Sequence, residues 1–289
     1  MLDSISEIIR RSEEEDKKFW EVVLEDDMET NEYSKEDSFI KMMTVWQAME
    51  EASDSYTGQR RSVSGLVGGD GLKMRQYTHR DEAMSGDYVS RVITEALSMA
   101  ESNACMRRIV AAPTAGSCGV LPAVLLPLWL DRRIKQKQVL EALYTASGIG
   151  AVIAHRACIS GAAGGCQAEI GTASAMAAGA LVQLHGGTSQ QIGQAVAMAL
   201  KNLMGLVCDP VAGLVEVPCV KRNVIGAVNA VSCADMALAG IESRVPVDEV
   251  ITAMGEVGRR MPHEFRETAL GGLAVTPFGK AVQERLHQQ

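Results

Sequence analysis

The sequence lacks a hydrophobic run long enough to cross a membrane. Its longest apolar stretch, residues 119–130, is broken by Pro122 and Pro127 and falls short of the roughly 18 to 20 residues that a spanning helix needs. The first residues, MLDSISEIIRRSEEED, also lack the apolar segment and small-residue cleavage site of a secretory signal. We therefore expect a cytoplasmic protein that has no membrane partner.

Basic clusters and a disulfide framework are missing as well. The net charge is -8, and residues 1–51 hold 16 acidic and 6 basic side chains, against 20 and 22 in the remainder. Because phosphate binding needs a basic face, this distribution argues against nucleic acid as a partner. The seven cysteines are an odd number in a 289-residue chain that can fold on its own core, which favours free thiols or metal ligands.

Helical patterns dominate what is present. Residues 1–52 carry capping-box spacings at Ser4 and Ser34, which predict an acidic helical N-terminal arm packed on the body. Residues 53–87 are rich in Gly, Ser, Thr and Asp and predict a loop. Apolar residues at helical spacing predict six further helices, at 88–102, 136–160, 167–184, 189–206, 222–243 and 247–258.

Small side chains in these segments let helix backbones approach closely. Strand patterns are almost absent from the sequence. The predicted fold is therefore all-α, a compact bundle of closely packed Ala- and Gly-rich helices over residues 53–289, with the acidic arm at residues 1–52.

Motifs of several common enzyme classes do not occur. The glycine clusters at 64–71 and 160–167 follow no strand and lack the dinucleotide and Walker spacings, and there is no G-x-S-x-G elbow. The five histidines show no zinc spacing. His155 lies in an apolar helical stretch and is expected to be a core residue, whereas His79, in RQYTHRDE, is either a solvated loop residue or a group near an active site.

Four cysteines lie at breaks between the predicted helices: Cys118, Cys166, Cys208 and Cys219. Gly and Pro beside a loop cysteine allow the chain to turn several thiolates toward one metal centre, as in iron-sulfur proteins. The alternative is a free cysteine that packs as a small hydrophobic residue. The intervals of 42 and 11 residues between the last three match no zinc-ribbon or ferredoxin pattern, so spacing identifies neither metal nor fold.

Three long segments carry a family resemblance: SGAAGGCQAEIGTASAMAAG at 160–179, KNLMGLVCDPVAGLVEVPCVKRN at 201–223 and APTAGSCGVLPAVL at 112–125. They closely resemble the α subunit of the iron-sulfur L-serine dehydratases. The resemblance implies a 4Fe-4S cluster held by Cys166, Cys208 and Cys219, with the fourth iron free to act as a Lewis acid on the substrate hydroxyl. It also implies conversion of L-serine to pyruvate and ammonia without pyridoxal phosphate.

The resemblance implies a partner protein too. Single-chain relatives begin with a separate mixed α/β domain whose Ser-Ser-His-Thr segment supplies the expected base, and no such segment occurs in this sequence. Two-chain members supply that domain as a β subunit. We therefore expect this chain to be the cluster-bearing half of a heteromeric enzyme.

Polar groups close to the cluster would bind the carboxylate and ammonium of the substrate. The candidates lie in the SVSG and PTAGS loops and are Ser62, Ser64, Gly65, Thr114, Gly116 and Ser117. Turn formation or helix capping is the alternative role for each of them. Lys221 and Arg222, which follow Cys219, either balance the charge of the cluster or substrate, or are solvated at the surface.

Two other functions stay open at this point. A cluster-dependent lyase acting on L-cysteine or another β-substituted amino acid would use the same residues, because sulfide can also leave from a thiophilic iron. A noncatalytic helical scaffold with merely buried cysteines is the alternative from a different class. Metal content and reaction products distinguish the three.

Overall fold

A computed structural model describes residues 2–78 and 83–288. His79 lies outside the described residues. Within these two ranges the chain forms helices, short 3-10 turns and a single isolated β-bridge, so the predicted all-α class is confirmed. The α-helices of the described residues are α1 Ile5–Glu14, α2 Phe19–Asn31, α3 Lys35–Asp54, α4 Asp70–Thr78, α5 Gly86–Ala104, α6 Val120–Leu130, α7 Gln136–Arg156, α8 Gly161–Gly164, α9 Cys166–Leu184, α10 Ser189–Leu203, α11 Cys219–Leu238, α12 Val247–Arg260 and α13 Pro277–His287.

Helix α9 is the centre of the bundle. It packs against α7, α10 and α11, and also against α6. Every residue from Cys166 to Gln183 is buried except Glu169. Its many Ala and Gly residues allow this, because small side chains let several helices approach one backbone at once.

The N-terminal arm shares the core of the body. Ser4 and Ser34 cap α1 and α3 as predicted, accepting hydrogen bonds from the backbone N–H groups of Glu7 and Asp37. Apolar residues of α1, α2 and α3 are buried in the same cluster as those of α9, with Phe19 and Trp46 each 1% exposed. Helix α3 continues to Asp54, two residues beyond the proposed end of the arm at 52.

Helix α4 lies inside the segment that the sequence predicts to be a loop, so that prediction is wrong for residues 70–78. The first turn of α4 is capped by a side chain distant in sequence. The Glu101 carboxylate of α5 accepts backbone N–H hydrogen bonds from Gly69, Asp70 and Gly71, at 3.0, 2.8 and 3.3 Å. A carboxylate at a helix N-terminus satisfies free donors and complements the helix dipole.

Helix α6 coincides with the proline-containing apolar run at residues 119–130, where the sequence patterns did not predict a helix. Pro122 lies in the first turn, where a backbone N–H has no intrahelical acceptor, so only Pro127 removes a hydrogen bond from the helix. Every residue from Val120 to Leu128 is buried. Burial of this apolar segment outweighs the cost of the internal proline. No helix of the described residues is long and apolar enough to span a membrane.

Candidate functional site

Cys166, Cys208 and Cys219 are all buried, with exposures of 1%, 2% and 7%. Cys166 and Cys219 are the first residues of α9 and α11, two helices that pack together. Cys208 lies in the loop after α10. Its backbone N–H donates to Phe265 O and its carbonyl accepts from Glu267 N, both at 2.8 Å, so the C-terminal segment holds this loop in place.

The three thiols influence one another electrostatically. A hydrogen bond between the Cys166 and Cys208 thiols lowers the pKa of Cys166 and raises that of Cys208. Burial raises the pKa of Cys219, and the negative charge at Cys166 raises it further. Three separate chain segments therefore place their thiols close enough together that the charge of one changes the pKa of the others.

Arg222 and Lys221, adjacent in sequence, have different surroundings. The Arg222 side chain is 12% exposed, and its Nη1 lies 3.3 Å from Cys166 Sγ. The Lys221 side chain is 68% exposed and pairs with Asp70 at 3.1 Å. Of the two roles considered for these residues, charge balance at the cysteines fits Arg222 and surface solvation fits Lys221.

Glu169 is a site residue that the sequence reasoning missed. It lies one helical turn after Cys166 and accepts a hydrogen bond from the Thr114 hydroxyl. Burial raises the pKa of its carboxyl group; the Thr114 hydrogen bond opposes this shift and the Glu267 carboxylate adds to it. The signal in the sequence was a lone charged residue in an Ala- and Gly-rich helix, three positions after a cysteine.

The PTAGS loop contacts Glu169 directly. Thr114 binds its carboxylate, and a Cβ added to Gly116 would lie 2.6 Å from Glu169 Oε1, so only glycine leaves room for this side chain. Ser117 is fully buried, and its hydroxyl lies 3.0 Å from the Thr114 hydroxyl. The loop therefore contacts, through Glu169, the first turn of the helix that begins at Cys166.

The SVSG loop is anchored to the chain between Cys208 and Cys219. The hydroxyls of Ser62 and Ser64 both donate to the buried carboxylate of Glu216, the first at 2.6 Å. The Ser62 hydroxyl also accepts from Val67 N, while Gly65 takes a positive φ of 76°. These polar groups already have partners within the protein, and their role toward a substrate stays a prediction.

Cys118 and His155 lie outside this group of contacts. Cys118 is fully buried, where burial raises the pKa of its thiol to about 12, as for a small residue of the core. The prediction that His155 lies in the core is wrong. Its side chain is 53% exposed, with Nε2 3.8 Å from Asp3, because it occupies the last turn of α7 at the surface.

Three cysteine thiols are the type of donor that would hold an iron-sulfur cluster. No three His, Cys, Asp or Glu side chains of residues 2–78 and 83–288 surround a position suited to one metal ion. A cluster makes a different demand, because each of its thiolates binds a different iron, and soft thiolates select such clusters. Glycine at position 161 keeps a side chain away from Cys208, since an added Cβ would lie only 3.1 Å from its Sγ.

Comparison with known proteins gives close relatives over nearly the whole chain. The Serine dehydratase alpha chain family matches residues 14–274. The probable L-serine dehydratase alpha chain of Bacillus subtilis is 46% identical over 286 residues, which cover 99% of this chain and 95% of that protein. The L-serine dehydratase alpha chain of Peptoniphilus asaccharolyticus is 41% identical over 284 residues, or 98% and 97% of the two chains.

A longer relative matches only in part. The L-serine dehydratase of Helicobacter pylori is 45% identical over 193 residues, which are 66% of this chain and 42% of that protein. More than half of the longer protein therefore lies outside the matched region.

Proposed function

This chain belongs to the serine dehydratase alpha chain family, and we propose that it is the cluster-bearing subunit of an enzyme that converts L-serine to pyruvate and ammonia. The observation that carries the proposal is the set of three buried cysteines, from α9, α11 and the loop before α11, with the Arg222 guanidinium against one of them. A structural core does not require a buried cation beside a buried thiol.

In this proposal Cys166, Cys208 and Cys219 hold a 4Fe-4S cluster, and pyridoxal phosphate takes no part. The cluster would supply an iron that acts as a Lewis acid on the substrate hydroxyl. The chain's own residues would hold and shield that centre. Arg222 offsets negative charge at the thiolates, and Thr114 with Glu169 forms a polar edge beside Cys166.

Removal of the α-proton from the substrate also requires a base, and we propose that a β chain supplies it. Two observations support a second chain. The relatives that this chain covers almost completely are named alpha chains, and the longer Helicobacter pylori relative extends well beyond the matched region.

Anaerobic reconstitution tests the proposal. The chain is incubated with iron and sulfide, then iron, acid-labile sulfide and near-visible absorbance are measured, and the loaded chain is combined with its β chain. Release of pyruvate from L-serine supports the proposal. Faster release of sulfide from L-cysteine would identify a cysteine lyase instead, and absence of bound iron would favour a noncatalytic scaffold.

A further inference from the structure

Arg222 lies on the segment of Cys219 and links it to the other two cysteine segments through one guanidinium group. It lies three residues after Cys219 on α11, so its side chain extends over the start of that helix toward the start of α9. There Nη1 donates to Cys166 Sγ at 3.3 Å and to the Val207 carbonyl at 2.7 Å. One side chain thus connects α11, α9 and the backbone next to Cys208.

Asp209 fixes the orientation of this guanidinium. Its Oδ1 accepts from Arg222 Nη2 at 2.8 Å, and its own side chain is 6% exposed. The second carboxylate oxygen accepts from Leu273 N at 2.9 Å. Gly272 lies so close that an added Cβ would be 2.3 Å from Asp209 Oδ2, so the C-terminal turn Gly272–Val275 closes directly on the aspartate.

Arg222 and Asp209 are arranged like outer-shell residues, which orient a metal ligand through hydrogen bonds. A buried cation is costly unless it is paired, and Arg222 has both a carboxylate and a sulfur as acceptors. The planar guanidinium can donate to two acceptors in fixed directions, which the single ammonium of lysine does less well. Hydrogen bonds to the sulfurs and nearby charges both change the reduction potential of an iron-sulfur cluster.

We propose that Arg222, oriented by Asp209, is a positioning residue that holds the Cys166 sulfur as a cluster ligand and thereby controls cluster retention and reduction potential. The inference rests on the proposed cluster. It adds a specific role for two residues outside the proposed set of iron ligands.

The test compares cluster retention in matched variants of the full chain with its β chain. Arg222→Gln, Arg222→Lys and Asp209→Asn are loaded anaerobically, with Lys221→Gln as the control on the exposed neighbour. The decay of near-visible absorbance in excess iron chelator is followed. We expect Arg222→Gln to lose the cluster about 10- to 100-fold faster, the usual scale for outer-shell changes. The rates of cluster loss in Arg222→Lys and Asp209→Asn should lie between those of Arg222→Gln and the unchanged chain.

The reduction potential of the cluster provides a second readout that a merely structural role would not move. Arg222→Gln should have a lower reduction potential. The reduced cluster carries more negative charge than the oxidised one, so removing the nearby cation destabilises the reduced state more. Lys221→Gln should retain both the cluster lifetime and the potential of the unchanged chain.

Unchanged lifetime and potential in a folded Arg222→Gln protein would overturn the inference, with folding checked by circular dichroism. If that variant does not fold, Arg222→Lys and Asp209→Asn provide the test. A cluster lifetime and reduction potential equal to those of the unchanged chain in both variants would then overturn the inference. A chain that binds no iron before any substitution overturns the proposed function and this inference together. Normal loading with no effect of the variants overturns this inference alone.

Discussion

Consecutive residues on α11 receive opposite environments. A helix turns by about 100° per residue, so Arg222 and Lys221 project in different directions from the same backbone. Arg222 enters the space between α9 and α11 and meets Cys166, while Lys221 remains at the surface beside Asp70. Residue type alone left the two roles interchangeable; their position around the helix separates them.

At this scale the proposed set of cluster ligands gives a direct prediction. Cys166→Ala, Cys208→Ala or Cys219→Ala should each abolish near-visible cluster absorbance and serine dehydration, because each removes one of three thiolates. Iron content and absorbance after anaerobic reconstitution measure the effect.

Two cysteines outside the set serve as controls for that experiment. Cys105 follows α5, and Cys233 is buried within α11, where burial raises the pKa of its thiol to about 11. Cys105→Ala and Cys233→Ala should leave absorbance and activity largely intact. Full cluster content in any of the three ligand variants would contradict the assignment.

Among the elements, some helices approach one another closely at glycines. On α7, a Cβ added to Gly148 would lie 2.4 Å from Val23 Cγ2 of α2, so this glycine lets the N-terminal arm dock. On α9, a Cβ added to Gly171 would find its nearest neighbours at 3.9 Å, which is ordinary contact. Helix packing therefore requires glycine at position 148 but not at position 171.

Gly148→Ala should destabilise the chain by about 1–3 kcal/mol, because Val23 is buried and its branched side chain has few rotamers to escape into. Gly171→Ala is the matched control and should stabilise it by up to about 1 kcal/mol, since alanine restricts the unfolded chain and favours helix. Denaturant unfolding of both variants measures the difference. Equal shifts in the same direction would contradict this account of the arm's docking.

Across the whole molecule, the arm and the body share one core. Buried residues of α1, α2 and α3 belong to the same apolar cluster as those of α9 and α10. The C-terminal segment is also tied to the site, through the Cys208 backbone and through Asp209. Both ends of the described chain therefore support the region that holds the cysteines.

For the whole enzyme we predict dependence on a second chain. The cluster-loaded chain alone should be nearly inactive toward L-serine, because loss of general base catalysis typically costs about 10² to 10⁴ in rate. Adding the β chain should restore pyruvate release, and replacing the Ser-Ser-His-Thr histidine in the β chain should remove it again without changing cluster absorbance.

Full turnover by the loaded chain alone would contradict this division of labour. The base would then belong to this chain, and His79→Ala would be the next variant to measure.

The sequence by itself determined the helical class and most helix positions. Periodic apolar residues and helix caps depend on neighbours within one or two turns, so α1, α3 and α9 can be located without knowing what they touch. It also supplied the cysteines and motifs on which the family resemblance depends. Four cysteines at helix breaks indicated a possible metal centre, but only the family resemblance selected three of them as the proposed cluster ligands, because the cysteine intervals match no simple metal motif.

The tertiary structure decided what depends on segments far apart in the chain. Helix α4 forms where Glu101 caps it, α6 forms around two prolines because its residues from Val120 to Leu128 are buried, and His155 is exposed because of where α7 ends. Glu169 and Arg222 gain their roles from Thr114 and Cys166, which lie 55 and 56 residues away in sequence. Local patterns do not contain such contacts, since burial and charge pairing are set by how the helices pack.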